Sequence, residues 1–593
     1  MPFRTSPLPL RLQVEALESR DTPSTLYALT LDSRIARFDS ANPGAIDSNV
    51  AVQNLNPGER VVGIDYRPRT GGLYGLAVAD NGTGTAARLL LINPLTGAAG
   101  QVGGGFAMPA GDGSGRFGFD FNPTVDRIRV VTASGLNLRL NPNDGTVAGV
   151  DANILLNGPI DSAAYDRNYD GKLGANGTTL FTINPVTGNL HTQGTVNSVV
   201  SPNTGLQTVV GPLGTPIDPT GAVGFDIAAD GPAFAVFDGT VGAGVGTGLY
   251  GVSLTGGTAT LLGLVGDGTG NFVGLAAVPE SRIAVGTGGG TDSRVEVYDP
   301  FTGTRLRTLD PYPGFRGGVT TAVGDVNRDG VLDVITGAGG GGGPHVKVFN
   351  GANGAELYSF FAYAEGFRGG VFVTAADVNG DGFADVVTGA GSGGGPHVRA
   401  FSGNGLGELA SFFAYDPAFT GGVRVAAGDF NNDGTDEIVT AAGPGGGPHV
   451  RVFGRDLLGA AVPYAGGGVS NSFYAYAPTF AGGVFVATGD INGDGFVDVV
   501  TGADGGGRAH VRGFSGRDGA DISSFYAYGE NFTGGARVGV ADTDRDGRVE
   551  VLVAPGAGID PDVLAFDPNI GVRRQSFDVA DGSRGAYVGG SLV

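Results

Sequence analysis

The sequence predicts an all-β protein, and two observations support that prediction. Aliphatic and aromatic residues occur in runs of four to eight, bounded by Gly, Pro, Asn and Asp, which is typical of many short strands. The second half of the chain also repeats itself about every 52 residues, the size of a four-stranded β-propeller blade. We therefore expect two consecutive β-propellers, of about five and then about six blades, at residues 25–280 and 281–593, preceded by a separate segment at 1–24.

The repeat of the second half is marked by aspartates. Asp325, Asp377 and Asp429 are 52 residues apart, Asp490 follows after 61 residues and Asp542 after another 52. Each copy reads as four short strands, which cannot bury both faces alone and therefore predict stacking against neighbouring copies. Twenty residues after each of the first four aspartates lies a histidine, at His345, His397, His449 and His510. Because these positions are equivalent on different blades, we expect the histidines to be spread around a ring in a structural role.

The two ends of the second half look like complementary fragments of one further copy. Residues 283–299 match the later part of a copy without its acidic loop, whereas the last twelve residues, GSRGAYVGGSLV, match only an opening strand. Joined, the fragments would make a sixth blade and close the ring with N- and C-terminal strands, which removes exposed strand edges. The 313 residues from 281 to 593 hold about six units of 52 residues.

Each aspartate of the repeat opens a nine-residue acidic loop of the form D-x-N-x-D-G-x-x-D. Side-chain oxygens at positions 1, 3, 5 and 9 and the backbone carbonyl at position 7 can converge on one hard cation, and glycine at position 6 allows the sharp turn. The candidate metal ligands are, loop by loop, Asp325, Asn327, Asp329, Val331 and Asp333; Asp377, Asn379, Asp381, Phe383 and Asp385; Asp429, Asn431, Asp433, Thr435 and Glu437; Asp490, Asn492, Asp494, Phe496 and Asp498; and Asp542, Asp544, Asp546, Arg548 and Glu550.

The chemistry of these loops favours about five Ca²⁺ ions. All-oxygen ligands argue against zinc or copper, and a flexible loop suits the larger Ca²⁺ better than Mg²⁺, which stays the weaker option. Five Ca²⁺ ions would bring the formal net charge from -22 to -12. The alternative is a set of Asx-rich hairpin turns that need no metal, but such turns do not require an acidic residue at position 9 each time.

With these loops in view, the copies resemble FG-GAP/VCBS repeats, the family that includes the integrin α-subunit propeller and many bacterial surface proteins. The resemblance covers about 281–593. It implies Ca²⁺ in rim loops between the first two strands of each blade, with ligands bound elsewhere on the ring. The integrin-like domain has seven blades whereas this sequence predicts six, so the ligand surface of the family is not transferred to this chain.

The first half repeats more loosely. Five segments look like the same strand: VVGIDYRP (61–68), RFGFDFNP (116–123), SAAYDRN (162–168), AVGFDIAA (222–229) and FVGLAAVPE (272–280). The region opens with LYALTLDSRIARFD, which lacks that strand, and ends with VGLAAVPE, which lacks its follow-on strands, so we expect a second cut blade. The G-[IF]-D and LYAL/LYGL elements resemble the DUF4394 family, a bacterial domain of unknown function that is often found in exported proteins.

Two features of the first half could bear on function. Asp65, Asp120 and Asp226 recur one per blade, and we expect a turn or an inter-blade hydrogen bond rather than catalysis. DRNYDGKLG (166–174) imitates the acidic loop at positions 1, 3, 5 and 6, but Gly174 replaces the last acid, so a sixth cation site there stays an open alternative.

The first 24 residues are basic at the start and lack the apolar core of an ordinary signal peptide. Their R-L-x-V-E-x-L-E-x-R-x-T-P-S pattern resembles a leader of exported, repeat-rich bacterial proteins, with a disordered tail as the alternative. No apolar run is long enough to cross a membrane, and the acidic charge argues against a nucleic-acid partner. The absence of cysteine leaves the redox compartment undetermined.

The residues form no convincing nucleophile–base constellation, since there is no cysteine and no G-x-S-x-G motif. We therefore expect a non-catalytic, calcium-binding secreted or cell-surface protein whose propellers serve adhesion or bind a protein or carbohydrate ligand. A carbohydrate-binding lectin is the first alternative, weakened by the absence of tryptophan but not by the supply of tyrosine and phenylalanine. A polysaccharide-active enzyme such as a lyase is the second.

Overall fold

The structure is a computed structural model of the full chain. The structure describes all residues except 1–23, 81–84, 109–115, 155–159, 161, 168–176, 230, 242–243, 456–460, 464–469, 530, 545–547, 560, 569–570, 578, 580–583 and 593. The expected leader at 1–24 therefore lies almost wholly outside the described residues. In the described part the chain is all-β, as predicted, with two short 3₁₀ turns at Val196–Ser198 and Pro202–Thr204.

The described residues of the first half form five antiparallel four-stranded sheets. Four of them contain strands consecutive in sequence, whereas in the remaining sheet the last strand of the half pairs with the first. The strands are β1 (Thr25–Thr30), β2 (Arg34–Asp39) and β3 (Ile46–Ala51) with β20 (Phe272–Ala277); β4 (Glu59–Tyr66), β5 (Leu73–Asp80), β6 (Thr85–Ile92) and β7 (Ala99–Ala107); β8 (Phe117–Asn122), β9 (Arg127–Thr132), β10 (Asn137–Leu140) and β11 (Val147–Val150); β12 (Ala164–Tyr165), β13 (Leu180–Asn184), β14 (Asn189–Gln193) and β15 (Gln207–Pro212); and β16 (Gly224–Ile227), β17 (Ala233–Val241), β18 (Gly244–Val252) and β19 (Ala259–Leu264).

In the second half, the part of the chain that the structure describes forms six further antiparallel sheets. The final strand of the chain pairs along its length with the strand that begins the half. The strands are β21 (Ser281–Gly289), β22 (Val295–Tyr298) and β23 (Arg305–Leu309) with β45 (Arg584–Leu592); β24 (Val319–Gly324), β25 (Asp333–Ala338), β26 (His345–Phe349) and β27 (Glu356–Phe361); β28 (Val371–Ala376), β29 (Asp385–Ala390), β30 (His397–Phe401) and β31 (Glu408–Phe413); β32 (Val423–Gly428), β33 (Glu437–Ala442), β34 (His449–Arg455), β35 (Ala461–Pro463) and β36 (Ser472–Tyr474); β37 (Val484–Gly489), β38 (Asp498–Ala503), β39 (His510–Phe514) and β40 (Asp521–Tyr526); and β41 (Ala536–Ala541), β42 (Glu550–Pro555), β43 (Val563–Asp567) and β44 (Val572–Phe577).

The hydrophobic core lies between neighbouring sheets. The strand that begins each sheet packs against its counterpart in the next, in the order β4, β8, β12, β16, β20 and back to β4 in the first half, and β24, β28, β32, β37, β41, β45 and back to β24 in the second. Val450, Val452 and Val499 are fully buried in one such layer, from strands of two adjacent sheets. Each sheet thus covers the apolar face of its neighbour, because four short strands cannot bury both faces alone.

A repeated tyrosine ties consecutive sheets of the second half together. The Tyr363 hydroxyl, just after β27, donates to the backbone carbonyl of Thr388 at 3.1 Å and of His397 at 2.7 Å, both in the next sheet. Burial raises the pKa of Tyr363 well above its usual value, so the hydroxyl stays a donor. The same pair of carbonyl contacts recurs at four further tyrosines, Tyr312, Tyr415, Tyr476 and Tyr528.

Candidate cation-binding loops

Each of the five acidic loops joins the first strand of a sheet to the second. Position 1 follows the end of the first strand, as Asp325 follows β24, and position 9 is the first residue of the second strand, as Asp333 begins β25. Position 6 needs a left-handed backbone, with φ between 81° and 85° at Gly330, Gly382, Gly434 and Gly495. Glycine adopts that conformation without steric cost, and so the turn folds the loop back over its own first aspartate.

The acidic residue at position 9 is buried in all five loops. The exposed fraction is 0% at Asp333, Asp385 and Asp498, 4% at Glu437 and 5% at Glu550. An ionised carboxylate removed from water is costly unless it is hydrogen-bonded or paired with a cation. Sequence spacing identified these residues, but their complete burial is a property of the folded sheets.

Backbone amides supply the hydrogen bonds of the position-9 carboxylates. In the first loop the two oxygens of Asp333 accept from the N–H groups of Val326 at 3.0 Å and Gly351 at 2.9 Å. The same two contacts recur at Asp385 and Asp498, each with a glycine eighteen residues further along the chain. Within the described part of the chain, no lysine or arginine forms an ion pair with these three aspartates. The described residues therefore stabilise the negative charge of these three carboxylates through the dipoles of backbone N–H groups.

Positions 1, 3 and 5 turn their oxygens toward the inside of the loop. In the second loop, Asp377 accepts from the N–H groups of Asp381 at 3.1 Å and Gly382 at 2.8 Å, and Asn379 accepts from Asp381 N–H at 2.8 Å. Asp381 in turn accepts from the N–H of Phe383, the position-7 residue, at 3.0 Å. These Asx turns order the loop, and each carboxylate oxygen retains a lone pair that could bind a cation.

Burial raises the pKa of the loop carboxyls, and neighbouring carboxylates add to the effect. At position 9 the pKa rises to about 7 at Asp333, about 8 at Asp385, Glu437 and Asp498, and about 9 at Glu550. At position 1 it rises to about 6 at Asp325, Asp377 and Asp490. A bound divalent cation would favour the ionised forms and reverse these shifts.

The five loops differ in the number of carboxylates that they bring together. In the fifth loop Asp542, Asp544 and Glu550 place carboxylate oxygens within 4.8 Å of one another, whereas Asp546 lies outside the described residues. In the other loops position 3 is an asparagine, so fewer carboxylates meet there. The imitation loop at 166–174 lies outside the described residues from position 168 onward, and its Asp166 accepts a hydrogen bond from Thr179 N–H.

Neighbouring loops contact one another and the first half of the chain. Asp436 in the third loop accepts from the N–H of Asp377 in the second at 2.8 Å. Arg69, in the turn between β4 and β5, places Nη1 at 3.0 Å from Oδ2 of Asp429, position 1 of the third loop. Pro68, Arg69 and Thr70 also line a cavity of about 270 Å³, together with residues of the first strands of the second half. The loops therefore lie at the end of the second half that faces the first half.

The four repeat histidines lie on four different sheets, as the sequence analysis expected. Each begins the third strand of its sheet, and Nε2 of His397 lies 2.9 Å from the Ser411 hydroxyl. An exposed aromatic side chain stacks on each imidazole with ring centroids 4.6 to 5.0 Å apart, the four being Phe361, Phe413, Tyr474 and Tyr526. These aromatic side chains are 43% to 55% exposed and were missed by the sequence analysis, although their F-[FY]-A-Y context recurs.

No helix in the described part of the chain is long and apolar enough to cross a membrane.

The chain matches no curated protein significantly. Three family models do match: one described as a domain of unknown function (DUF4394) at residues 34–276, an FG-GAP-like repeat at 377–440 and an FG-GAP repeat at 482–520. The first half is thus similar to DUF4394, and residues 377–440 and 482–520 are similar to FG-GAP repeats, as the G-[IF]-D strands and the acidic loops predicted.

Proposed function

We propose that this chain is a non-catalytic, calcium-binding scaffold of two β-propellers, with five blades at 25–280 and six at 281–593. The observation that carries the calcium assignment is the buried carboxylate at position 9 of five successive loops. The ring closure is supported by the pairing of β20 with β1 and of β45 with β21, together with the cyclic packing of the first strands. The all-oxygen donor set fits Ca²⁺ and disfavours zinc or copper.

Calcium bound to these loops would stabilise the folded state. Five loops hold carboxyls whose pKa values burial raises, and a divalent ion would supply the missing positive charge. At tenfold excess over Kd, each ion that binds only the folded state would add about 1.4 kcal/mol to the free energy of unfolding. Extracellular calcium is millimolar, which would fill even sites with Kd of about 10⁻⁴ to 10⁻³ M. We therefore propose a secreted or cell-surface location.

Native mass spectrometry of the full chain, with and without calcium, tests the assignment. We expect about five ions in the wild type and one fewer in Asp385→Asn, which keeps the side-chain shape but removes the charge. Asp416→Asn is the matched control, because Asp416 is exposed and accepts only a turn N–H. Wild-type protein that takes up no calcium, or an Asp385→Asn variant with an unchanged ion count, would refute the proposal.

Carbohydrate binding is the second candidate, favoured by the four exposed aromatic side chains. Phe413 is 49% exposed and stacks on His397, with the two ring centroids 4.8 Å apart. Such rigid, exposed rings at the same place in four blades could stack on sugar rings. A glycan array with the wild type, and with Phe413→Ala and Tyr526→Ala combined, tests this: loss of a wild-type signal in the variant supports it, and a blank wild-type array counts against it.

A further inference from the structure

Three aspartates of the first half converge at the centre of its ring of strands. Asp65, Asp120 and Asp226 come from β4, β8 and β16, and each is 1% exposed. Each offers one carboxylate oxygen, and the three oxygens lie within 4.8 Å of one another. Because the three strands belong to three different sheets, the convergence depends on the closed packing of the first strands.

Five of the six carboxylate oxygens accept backbone hydrogen bonds. The oxygens of Asp65 accept from the N–H groups of Tyr66 and Phe121, both at 2.7 Å, and those of Asp226 from Ile227 and Ala277, both at 2.6 Å. One oxygen of Asp120 accepts from Tyr165 at 3.1 Å. Three of these five bonds cross to the next sheet, and so the expected inter-blade hydrogen bond is present at each aspartate.

The sixth oxygen, Oδ2 of Asp120, is completely buried and accepts from no N–H or O–H group of the described residues, although the Asp120 and Asp226 carboxyls are close enough to share a proton. A buried acceptor without a partner is costly, and this one belongs to a group of three mutually repelling carboxylates. Among the described residues, no lysine or arginine forms an ion pair with the three side chains. Burial raises the pKa of all three, and repulsion from neighbouring carboxylates adds to the rise at Asp65 and Asp120. Backbone hydrogen bonds satisfy five of the oxygens, but they do not explain how Oδ2 of Asp120 and the negative charge of the three carboxylates are stabilised.

We propose that Asp65, Asp120 and Asp226 form a further cation site, which holds one dehydrated hard divalent ion, Ca²⁺, on the axis of the first propeller. Three oxygens within 4.8 Å of one another match the span of ligands around an ion with metal–oxygen distances of about 2.4 Å. A fully buried site disfavours Mg²⁺, which releases its water reluctantly. The ion would give Asp120 Oδ2 its partner and join three sheets through one centre.

The competing occupant is a shared proton, and substitution by asparagine separates the two. Asparagine can donate an N–H to a neighbouring carboxylate, as a protonated aspartate does, but it cannot supply the charge that a cation needs. Asp120→Asn is therefore the test variant, with Asp226→Asn as the second. Asp218→Asn is the matched control, because Asp218 is only partly buried and caps a turn in the same half.

Ion stoichiometry of the full chain in calcium buffer is measured by native mass spectrometry, with folding checked by far-ultraviolet circular dichroism. We expect each triad variant to hold one ion fewer than the wild type and Asp218→Asn to hold the wild-type number. The difference reports the triad alone, so it remains informative even if the acidic loops of the second half bind nothing. Equal ion counts in the wild type and a folded triad variant would overturn the proposal.

Crystals of the full chain grown with Mn²⁺ give a test that needs no variant. Anomalous density between the three carboxylates is the expected result, at about 2.2 Å from their oxygens, slightly closer than Ca²⁺. A peak-free centre, with hydrogen-bonded carboxyl pairs alone, would assign the triad to shared protons.

Discussion

The raised pKa values of the acidic loops make the metal-free protein less stable as pH rises. For Asp333 the pKa lies at about 7 in the folded chain, against 3.8 for the free side chain. Between these two values the folded state binds more protons than the unfolded state, so the free energy of unfolding falls as pH rises through that window. At 1.36 kcal/mol per pKa unit, this one group accounts for about 4 kcal/mol.

Calcium should invert this dependence, because it binds the ionised carboxylates and releases their protons. We expect metal-free protein to be more stable at about pH 5 than at about pH 8, and calcium to add most at the higher pH. The protein lacks tryptophan, so urea denaturation is followed by circular dichroism or tyrosine fluorescence.

Asp333→Asn provides the internal control for this experiment. It cannot titrate, and therefore the variant should lose about 3 kcal/mol of the difference between the two pH values, because only the two pH units between pH 5 and the folded pKa of about 7 contribute. The reasoning is wrong if chelated wild-type protein is equally stable at both pH values, or gains stability toward pH 8.

Three further outcomes are expected. Removing calcium should lower the melting temperature of the transition assigned to 281–593 more than that of 25–280, and calorimetry of the full chain would contradict this if both moved equally. Tyr363→Phe should cost about 1–2 kcal/mol of unfolding free energy without changing the number of bound ions, because it removes two hydrogen bonds to the next sheet. Arg69→Gln should strengthen calcium binding at one site about tenfold, since a guanidinium beside Asp429 opposes a second cation; unchanged calorimetric titration would refute that.

The sequence predicts most of the strand pattern because the repeat is visible in the residues themselves. The five G-[IF]-D-like segments of the first half each supply the first strand of a sheet, at β4, β8, β12, β16 and β20. The same holds for the acidic loops, whose glycine at position 6 and acid at position 9 mark a turn and the start of a strand. Spacing alone is enough here, since both features are local.

Contacts between distant parts of the chain could not be predicted in this way. Asp65, Asp120 and Asp226 were expected to form a hydrogen bond with the neighbouring sheet, and they do, but their mutual approach depends on how three different sheets pack together. The hydrogen bond from Gly351 to Asp333 likewise requires the third and fourth strands to be in place. Such proximity arises from packing, for which a single sequence carries no local signal.

The ion pair between Arg69 and Asp429 shows that a position-1 carboxylate can be compensated by a positive charge. Asp429 is a position-1 aspartate beside a guanidinium of the same chain, 3.0 Å away. At Asp325 and Asp377, which occupy the same position, the described residues offer only backbone N–H donors, and burial raises the pKa of both to about 6. Arg69, from a turn of the first half, thus compensates the negative charge of the third loop. In the loops of Asp325 and Asp377, that charge would have to be compensated by protons or by a cation from solution. That contrast between loops of nearly identical sequence supports the proposal that the carboxylates without a neighbouring guanidinium bind calcium rather than forming hairpin turns alone.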